Sequence, residues 1–167
     1  MADYSVGILT LSDKGARGER EDTSGAMLKN MFDRLPEFRV DRYLLIADNQ
    51  ELIVETLIHW VDEGKIDLIV TTGGTGVSPS DQTPEATRMV IEREVPGLAE
   101  AMRQASLTKT IQAVWSRGIA GIRQQSLIIN LPGSEKAARE NIEAVLPALA
   151  HGLYKLKGGQ ADCGVIV

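Results

Sequence analysis

Cysteine is almost missing from this chain of 167 residues. With only Cys163, no intrachain disulfide and no cysteine metal cluster can form, a pattern that fits a reducing, cytoplasmic setting. Histidine is nearly as scarce: His59 and His151 fall in separate helical stretches with no cysteine or histidine at ligand spacing. That excludes a histidine-dependent zinc site and a Ser-His-Asp hydrolase. A surplus of positive charge is also lacking. The net charge of −5 argues against a broad nucleic-acid surface, so an acidic chain that binds phosphate must rely on local donors and a divalent cation. No apolar run approaches the length of a membrane span, and residues 1–11 lack the basic start and long apolar stretch of a signal peptide. The familiar nucleotide motifs are missing too. From Gly74 and Gly76 the final glycine of G-x-G-x-x-G would fall on Pro79, no glycine-lysine pair precedes a serine or threonine, and no G-x-S-x-G occurs.

What is present is ordinary in bulk and pointed in detail. Hydrophobic content of 43% and charged content of 25% suit a single globular domain, which we place at residues 1–157 with a tail at 158–167. Strand and helix patterns alternate. Residues 4–11, 38–47, 66–72 and 126–131 read as strands. Residues 22–35, 49–64, 84–94, 97–106 and 134–157 read as helices, with Asp22 or Thr23 able to cap the first. The stretch 108–125 reads as a short extended segment and loops, and the charge-dense run 14–22 as a solvated loop placed to act as a flap. The fold class implied is α/β: one three-layer α/β/α domain around a mostly parallel sheet.

In such sheets ligands bind beyond the carboxyl ends of the strands. The loops following Leu11, Ala47, Thr72 and Leu131 would share that edge. They carry Ser12 and Asp13, then Asp48, then the turn Gly73-Gly74-Thr75-Gly76 with Asp81 behind it, and finally Pro132, Gly133 and Ser134. Glycines let phosphate oxygens approach backbone amides, a helix start adds free N–H donors, and an aspartate can hold Mg²⁺ against the phosphates. Each residue also has a plainer use. Asp48 and Asp81 stand where helix caps stand, Gly133-Ser134 is a common turn and cap, and a lone arginine such as Arg117 is commonly a surface ion-pair partner.

Several motifs together decide between these readings. They are Leu11-Ser12-Asp13 with Gly18, Asp22 and Ser24-Gly25; Thr71-Thr72-Gly73-Gly74-Thr75-Gly76; Asp81 with Thr83-Pro84-Glu85-Ala86-Thr87; Pro96-Gly97; Met102-Arg103; Ser116-Arg117; and Asn130-Leu131-Pro132-Gly133-Ser134. On these, over nearly its whole length, the chain resembles the MogA/gephyrin-G-domain family of molybdenum cofactor biosynthesis proteins. The resemblance implies an adenylyltransferase that joins AMP from ATP to the terminal phosphate of molybdopterin and releases pyrophosphate. It implies Asp48 and Asp81 as catalytic, Mg²⁺-binding carboxylates. Phosphate and nucleotide contacts fall to Ser12, Asp13, Gly73, Gly74, Thr75, Gly76, Pro132, Gly133 and Ser134, and pterin-side contacts to Ser106, Ser116 and Arg117. It further implies a homo-oligomer, commonly a trimer, and hand-over to a molybdate-inserting protein. A non-catalytic MoaB-type pterin-binding or scaffold protein and a hydrolase of nucleotide conjugates are the competing readings.

Overall fold

The structure, a computed structural model, describes residues 3–160. Most of the proposed tail, 161–167 with Cys163, therefore lies outside the described residues. Six strands form one sheet in the order β2-β1-β3-β6-β5-β4. In chain order the elements are β1 (Tyr4–Leu11), α1 (Asp13–Ala16), α2 (Thr23–Phe32), β2 (Phe38–Ile46), α3 (Gln50–Asp62), β3 (Leu68–Thr72), α4 (Thr83–Val90), β4 (Arg93–Glu94), α5 (Pro96–Leu107), a 3₁₀ turn (Ile111–Trp115), β5 (Ala120–Arg123), β6 (Ser126–Leu131) and α6 (Glu135–Leu156). Strands β2, β1, β3 and β6 run parallel, and β5 and β4 complete the sheet antiparallel.

The edge strand β2 is largely exposed and carries Arg39, Asp41 and Arg42, whereas the inner parallel strands β1, β3 and β6 are apolar because both their faces are covered, and they are buried along their whole lengths. Alternation along the pleat divides their side chains between two cores. Val6, Ile8, Leu68, Val70 and Ile129 pack with Met27 and Leu28 of α2, Met102 of α5 and Ile142 and Leu149 of α6. On the other face Leu9, Leu11, Ile69 and Ile128 pack with Ile53, Leu57 and Trp60 of α3 and Val90 of α4. Gly7 is required here for space, since a Cβ on it would lie 2.7 Å from the Trp60 ring. The outcome is three layers, with the carboxyl ends of all four parallel strands at one edge.

Three local expectations change. The helix read over 84–94 ends at Val90, because Ile91 turns extended and Arg93–Glu94 pair with Ile122 and Gly121 at the sheet edge. Flanking bonds from the Glu92 amide to the Ile122 carbonyl (2.7 Å) and from the Val95 amide to the Ala120 carbonyl (2.8 Å) hold it there. Pro96 also disfavours a helical residue before it. The stretch 108–125, read as an extended segment and loops, contains the 3₁₀ turn as well as β5. The supposed flap starts with α1, one turn of helix capped by Ser12.

Candidate active site

The turn after β3 is built around two residues that only glycine suits. Gly73 and Gly74 both have positive φ, +107° and +65°. A Cβ on Gly73 would sit 2.2 Å from the Leu11 carbonyl oxygen, and one on Gly74 would sit 2.3 Å from Thr83 Oγ1. Buried Thr83 locks the turn to the start of α4: its hydroxyl donates to the Gly73 carbonyl (2.9 Å) and its amide to the Gly74 carbonyl (3.1 Å). On the other side, Thr72 Oγ1 donates to the Pro132 carbonyl (2.7 Å). Gly133 passes so close that its Cβ would lie 3.3 Å from Gly73 Cα. The turns after β3 and β6 are thus packed backbone to backbone, forming a wall of small residues.

Asp48 stands opposite this wall. It is bound reciprocally to Asp13: the Asp13 amide donates to Asp48 Oδ2 (3.1 Å) and the Asp48 amide to Asp13 Oδ1 (3.0 Å). The loops after β1 and β2 are fixed together by that exchange. Asp48 is not the cap of α3, a task that Asn49 performs by accepting from the Leu52 amide (2.9 Å). Its other oxygen, Oδ1, is buried without a hydrogen-bond partner and would lie 3.0 Å from a Cβ on Gly74. Burial raises the Asp48 pKa, an effect opposed by the Asp13 amide and reinforced by the Asp13 and Asp81 charges. A buried carboxylate oxygen with no donor is costly unless something outside the protein fills the gap. A cation does so.

Asp81 is also released from capping, because Gln82 precedes α4 without a side-chain cap. One of its carboxylate oxygens, Oδ2, accepts from the Ser78 amide (2.9 Å) and would lie 2.8 Å from a Cβ on Gly76. Among the described residues no group of three or more His, Cys, Asp or Glu is arranged as a metal cage. Two carboxylates fit Mg²⁺, which commonly takes one or two from the protein and completes its shell with waters and substrate phosphates.

Two cavities meet at the glycine wall. The first, about 680 Å³, is lined by Ser12, Asp22, Asp48, Gly73, Gly74, Asp81, Gly133 and Ser134. The second, about 320 Å³, is lined by Thr75, Gly76, Arg103, Ser106, Trp115, Ser116, Pro132, Gly133 and Asn141. Gly133 belongs to both. Ser134 caps the 22-residue α6 (3.2 Å to the Ala137 amide), so a long helix opens onto the first cavity with its positive end. Ser12 accepts from the Gly15 amide (3.0 Å) and keeps its own proton to donate.

Most of the sequence-predicted residues therefore converge, divided between two compartments. Ser106 and Ser116 reach the second cavity. Asp13 acts through Asp48. Arg117, expected among the pterin-side contacts, instead gives its fork to protein acceptors: the carbonyls of Gly76 (2.6 Å) and Asp81 (2.7 Å) and, as its plainer reading had it, a carboxylate ion pair with Glu85. Three residues escaped the sequence reading of the site. Asp22, read as a cap and a motif residue but given no role in the site, caps α2 and also accepts from Thr10 Oγ1 (2.7 Å) and Tyr43 Oη (2.5 Å) while lining the first cavity. Asn141 donates to Ser106 Oγ (2.7 Å), and Arg103 donates to the Gly118 carbonyl (2.8 Å). Asn141 left one trace, a polar residue on the apolar stripe of α6.

A three-layer α/β domain with a glycine turn, an unpartnered carboxylate oxygen and paired cavities at the carboxyl ends of its parallel strands belongs to the class of α/β proteins whose ligand site lies at that edge. Comparison with known proteins makes the class specific. Residues 7–151 match the family described as "Probable molybdopterin binding domain", and the chain belongs to that family. It is 43% identical over 155 residues to the molybdopterin adenylyltransferase of Helicobacter pylori strain J99, covering 90% of this chain and 86% of that one. It is 38% identical over 160 residues to the molybdopterin adenylyltransferase of Escherichia coli K12, covering 92% and 82%. Among solved structures, the molybdopterin biosynthesis enzyme MoaB from Thermus thermophilus aligns with a TM-score of 0.87 at 52% identity, covering 93% of this chain and 97% of that one. A MogA structure aligns with a TM-score of 0.86 at 36% identity, covering 91% and 99%.

Proposed function

We propose that this protein is a molybdopterin adenylyltransferase. AMP passes from ATP to the terminal phosphate of molybdopterin, and pyrophosphate leaves. The observation that carries this reading is the pair of cavities meeting at Gly133 and the Gly73–Gly76 turn. A transfer between two anionic substrates needs two compartments and one shared point where an attacking oxygen and an α-phosphate are held together. ATP belongs in the larger cavity, where the turn's backbone and the start of α6 receive phosphate charge. The pterin belongs in the smaller, more apolar one, with Ser106, Ser116 and Asn141 as polar contacts. Asp48 and Asp81 are the carboxylates to hold Mg²⁺, which when bound neutralises phosphate charge and stabilises the pyrophosphate leaving group. The chain's own contribution is to position both phosphates and to offer fixed dipoles where charge develops.

The test is incubation with molybdopterin, Mg²⁺ and ATP labelled at the α-phosphate. Labelled pterin-AMP and free pyrophosphate are the expected products. A second reading is a MoaB-type protein that binds pterin without turning it over. It predicts pterin binding with no labelled product.

The reading extends to a homo-oligomer, specifically a trimer, for which exposed Ile111, Val114 and Trp115 offer apolar surface. Sedimentation of the intact chain at three times its mass supports this, and a monomer refutes it. Passing the adenylylated product to a molybdate-inserting protein completes the proposal. Among the described residues no helix is long and apolar enough to cross a membrane.

A further inference from the structure

Residues 77–80 form an exposed excursion between Gly76, which borders the second cavity, and Asp81, which borders the first. An exposed loop of this kind does not by itself hold a carboxylate in a fixed place. Arg117 bridges its two ends. Nε donates to the Gly76 carbonyl (2.6 Å) and Nη2 to the Asp81 carbonyl (2.7 Å), while Glu85 on α4 pairs with the same guanidinium. The Arg117 amide adds a bond to the Thr75 carbonyl (2.9 Å). Only the planar fork of arginine serves two carbonyls and a carboxylate at once. The ion pair holds the Glu85 carboxyl below its ordinary pKa, so the staple stays charged near neutrality.

The base of this staple is the other half of the observation. Arg117 follows Ser116 and Trp115, which line the second cavity. Arg103, another lining residue, holds the segment from behind through the Gly118 carbonyl (2.8 Å). A ligand seated against Ser116 therefore presses on the residue that fixes Asp81. We propose that Arg117 is a positioning residue that couples occupancy of the pterin cavity to the placement of Asp81 in the nucleotide cavity. The inference rests on the adenylyl-transfer reading for what fills each cavity, and it makes the two binding steps cooperative: pterin readies the site for the metal-bound nucleotide, and the nucleotide tightens pterin by the same factor.

The experiment uses the intact chain and Arg117→Met, Arg117→Lys and Glu85→Gln variants. Calorimetry measures binding of a non-hydrolysable ATP analogue with Mg²⁺, with and without molybdopterin. The labelled-ATP assay gives kcat and each KM per folded molecule. In the unaltered chain molybdopterin tightens nucleotide binding. In Arg117→Met the two ligands bind independently, kcat falls about a hundredfold, as for a misplaced reacting group, and the pterin KM extrapolated to zero ATP, where reciprocal coupling does not enter, barely moves. Lysine fails to restore the coupling, and Glu85→Gln, which keeps one acceptor, loses less than Arg117→Met. The proposal is overturned if the ligands bind independently in the unaltered chain. It is equally overturned if Arg117→Met raises the pterin KM extrapolated to zero ATP at unchanged kcat, or only lowers the melting temperature. Coupled binding without any labelled product would sink the transfer reading and leave the coupling standing.

Discussion

Each end of the sheet holds a sheltered aspartate, and the two are satisfied in opposite ways. At the amino end, Asp67 accepts from the Ser5 amide (2.8 Å) and the Ser5 hydroxyl (2.9 Å) on one oxygen and pairs with Lys157 through the other. Every demand of that carboxylate is met inside the protein, and the result is a fastening between β1, the entry to β3 and the residue that ends α6. At the carboxyl end, Asp48 meets half its demand through Asp13 and leaves Oδ1 buried and bare. An acid that fastens the fold closes its hydrogen bonds; an acid kept for a ligand leaves one open. The contrast predicts that damage at one end should appear in stability and damage at the other in turnover.

The largest effect should come from Asp81→Ala. It removes charge beside the substrate phosphates without touching the core, so adenylyl transfer should fall by about a thousandfold or more while the melting curve stays in place. Near-normal turnover would remove Asp81 from the site. Asp48→Asn comes next, with a loss of about tenfold to a hundredfold in kcat. Its stability should move the other way. Because burial raises the Asp48 pKa, the folded state takes up protons more readily than the unfolded one. Its ionised form costs stability above the raised value, and the cost fades as pH falls through it. In the absence of Mg²⁺ the variant should thus melt no lower than the unaltered chain at pH 8, with its advantage shrinking in acid.

The other end supplies the converse. Asp67→Ala strands the Ser5 amide and removes the partner of Lys157, at a cost of about 2 kcal/mol read by denaturant unfolding. Its kcat at a permissive temperature should be unchanged, and a selective loss of turnover would erase the distinction between the two acids. The smallest effect belongs to Asn49→Ala, which strips the cap from α3 next door to Asp48. About 1 kcal/mol of stability should go with kcat retained. Were Asn49→Ala to abolish transfer, the division of labour between these neighbours would be wrong.

Much of this arrangement was legible from residue order, and the failures have physical causes. Strands β1, β3 and β6 announced themselves as apolar runs because both faces are buried, and parallel alternation then placed four loops at one edge. The glycines were readable because positive φ and close backbone approach leave few substitutes. Arg93–Glu94 could not be read as a strand: two charged residues carry no period, and their pairing is decided by the free edge of β5. Arg117 was named, but its bridging of Gly76 and Asp81 escaped because those two partners are carbonyls, which every residue owns and no side chain identifies. Asp48 was ambiguous for a related reason, since an aspartate before a helix can serve as its cap, and only the fold gives the cap to Asn49 instead. A nucleotide side and a pterin side came with the family resemblance, but the wall that separates them could not be read from residue order, because it depends on Gly133 passing Gly73 across the sheet.

The most direct trial of the central claim is a crystal structure of the chain with Mg²⁺ and a non-hydrolysable ATP analogue. The account predicts a cation at direct coordination distance, about 2.1 Å, from Asp48 Oδ1, with phosphate oxygens along the Gly73–Gly76 turn. A nucleotide bound elsewhere, or Asp48 Oδ1 still bare beneath a bound triphosphate, would contradict it.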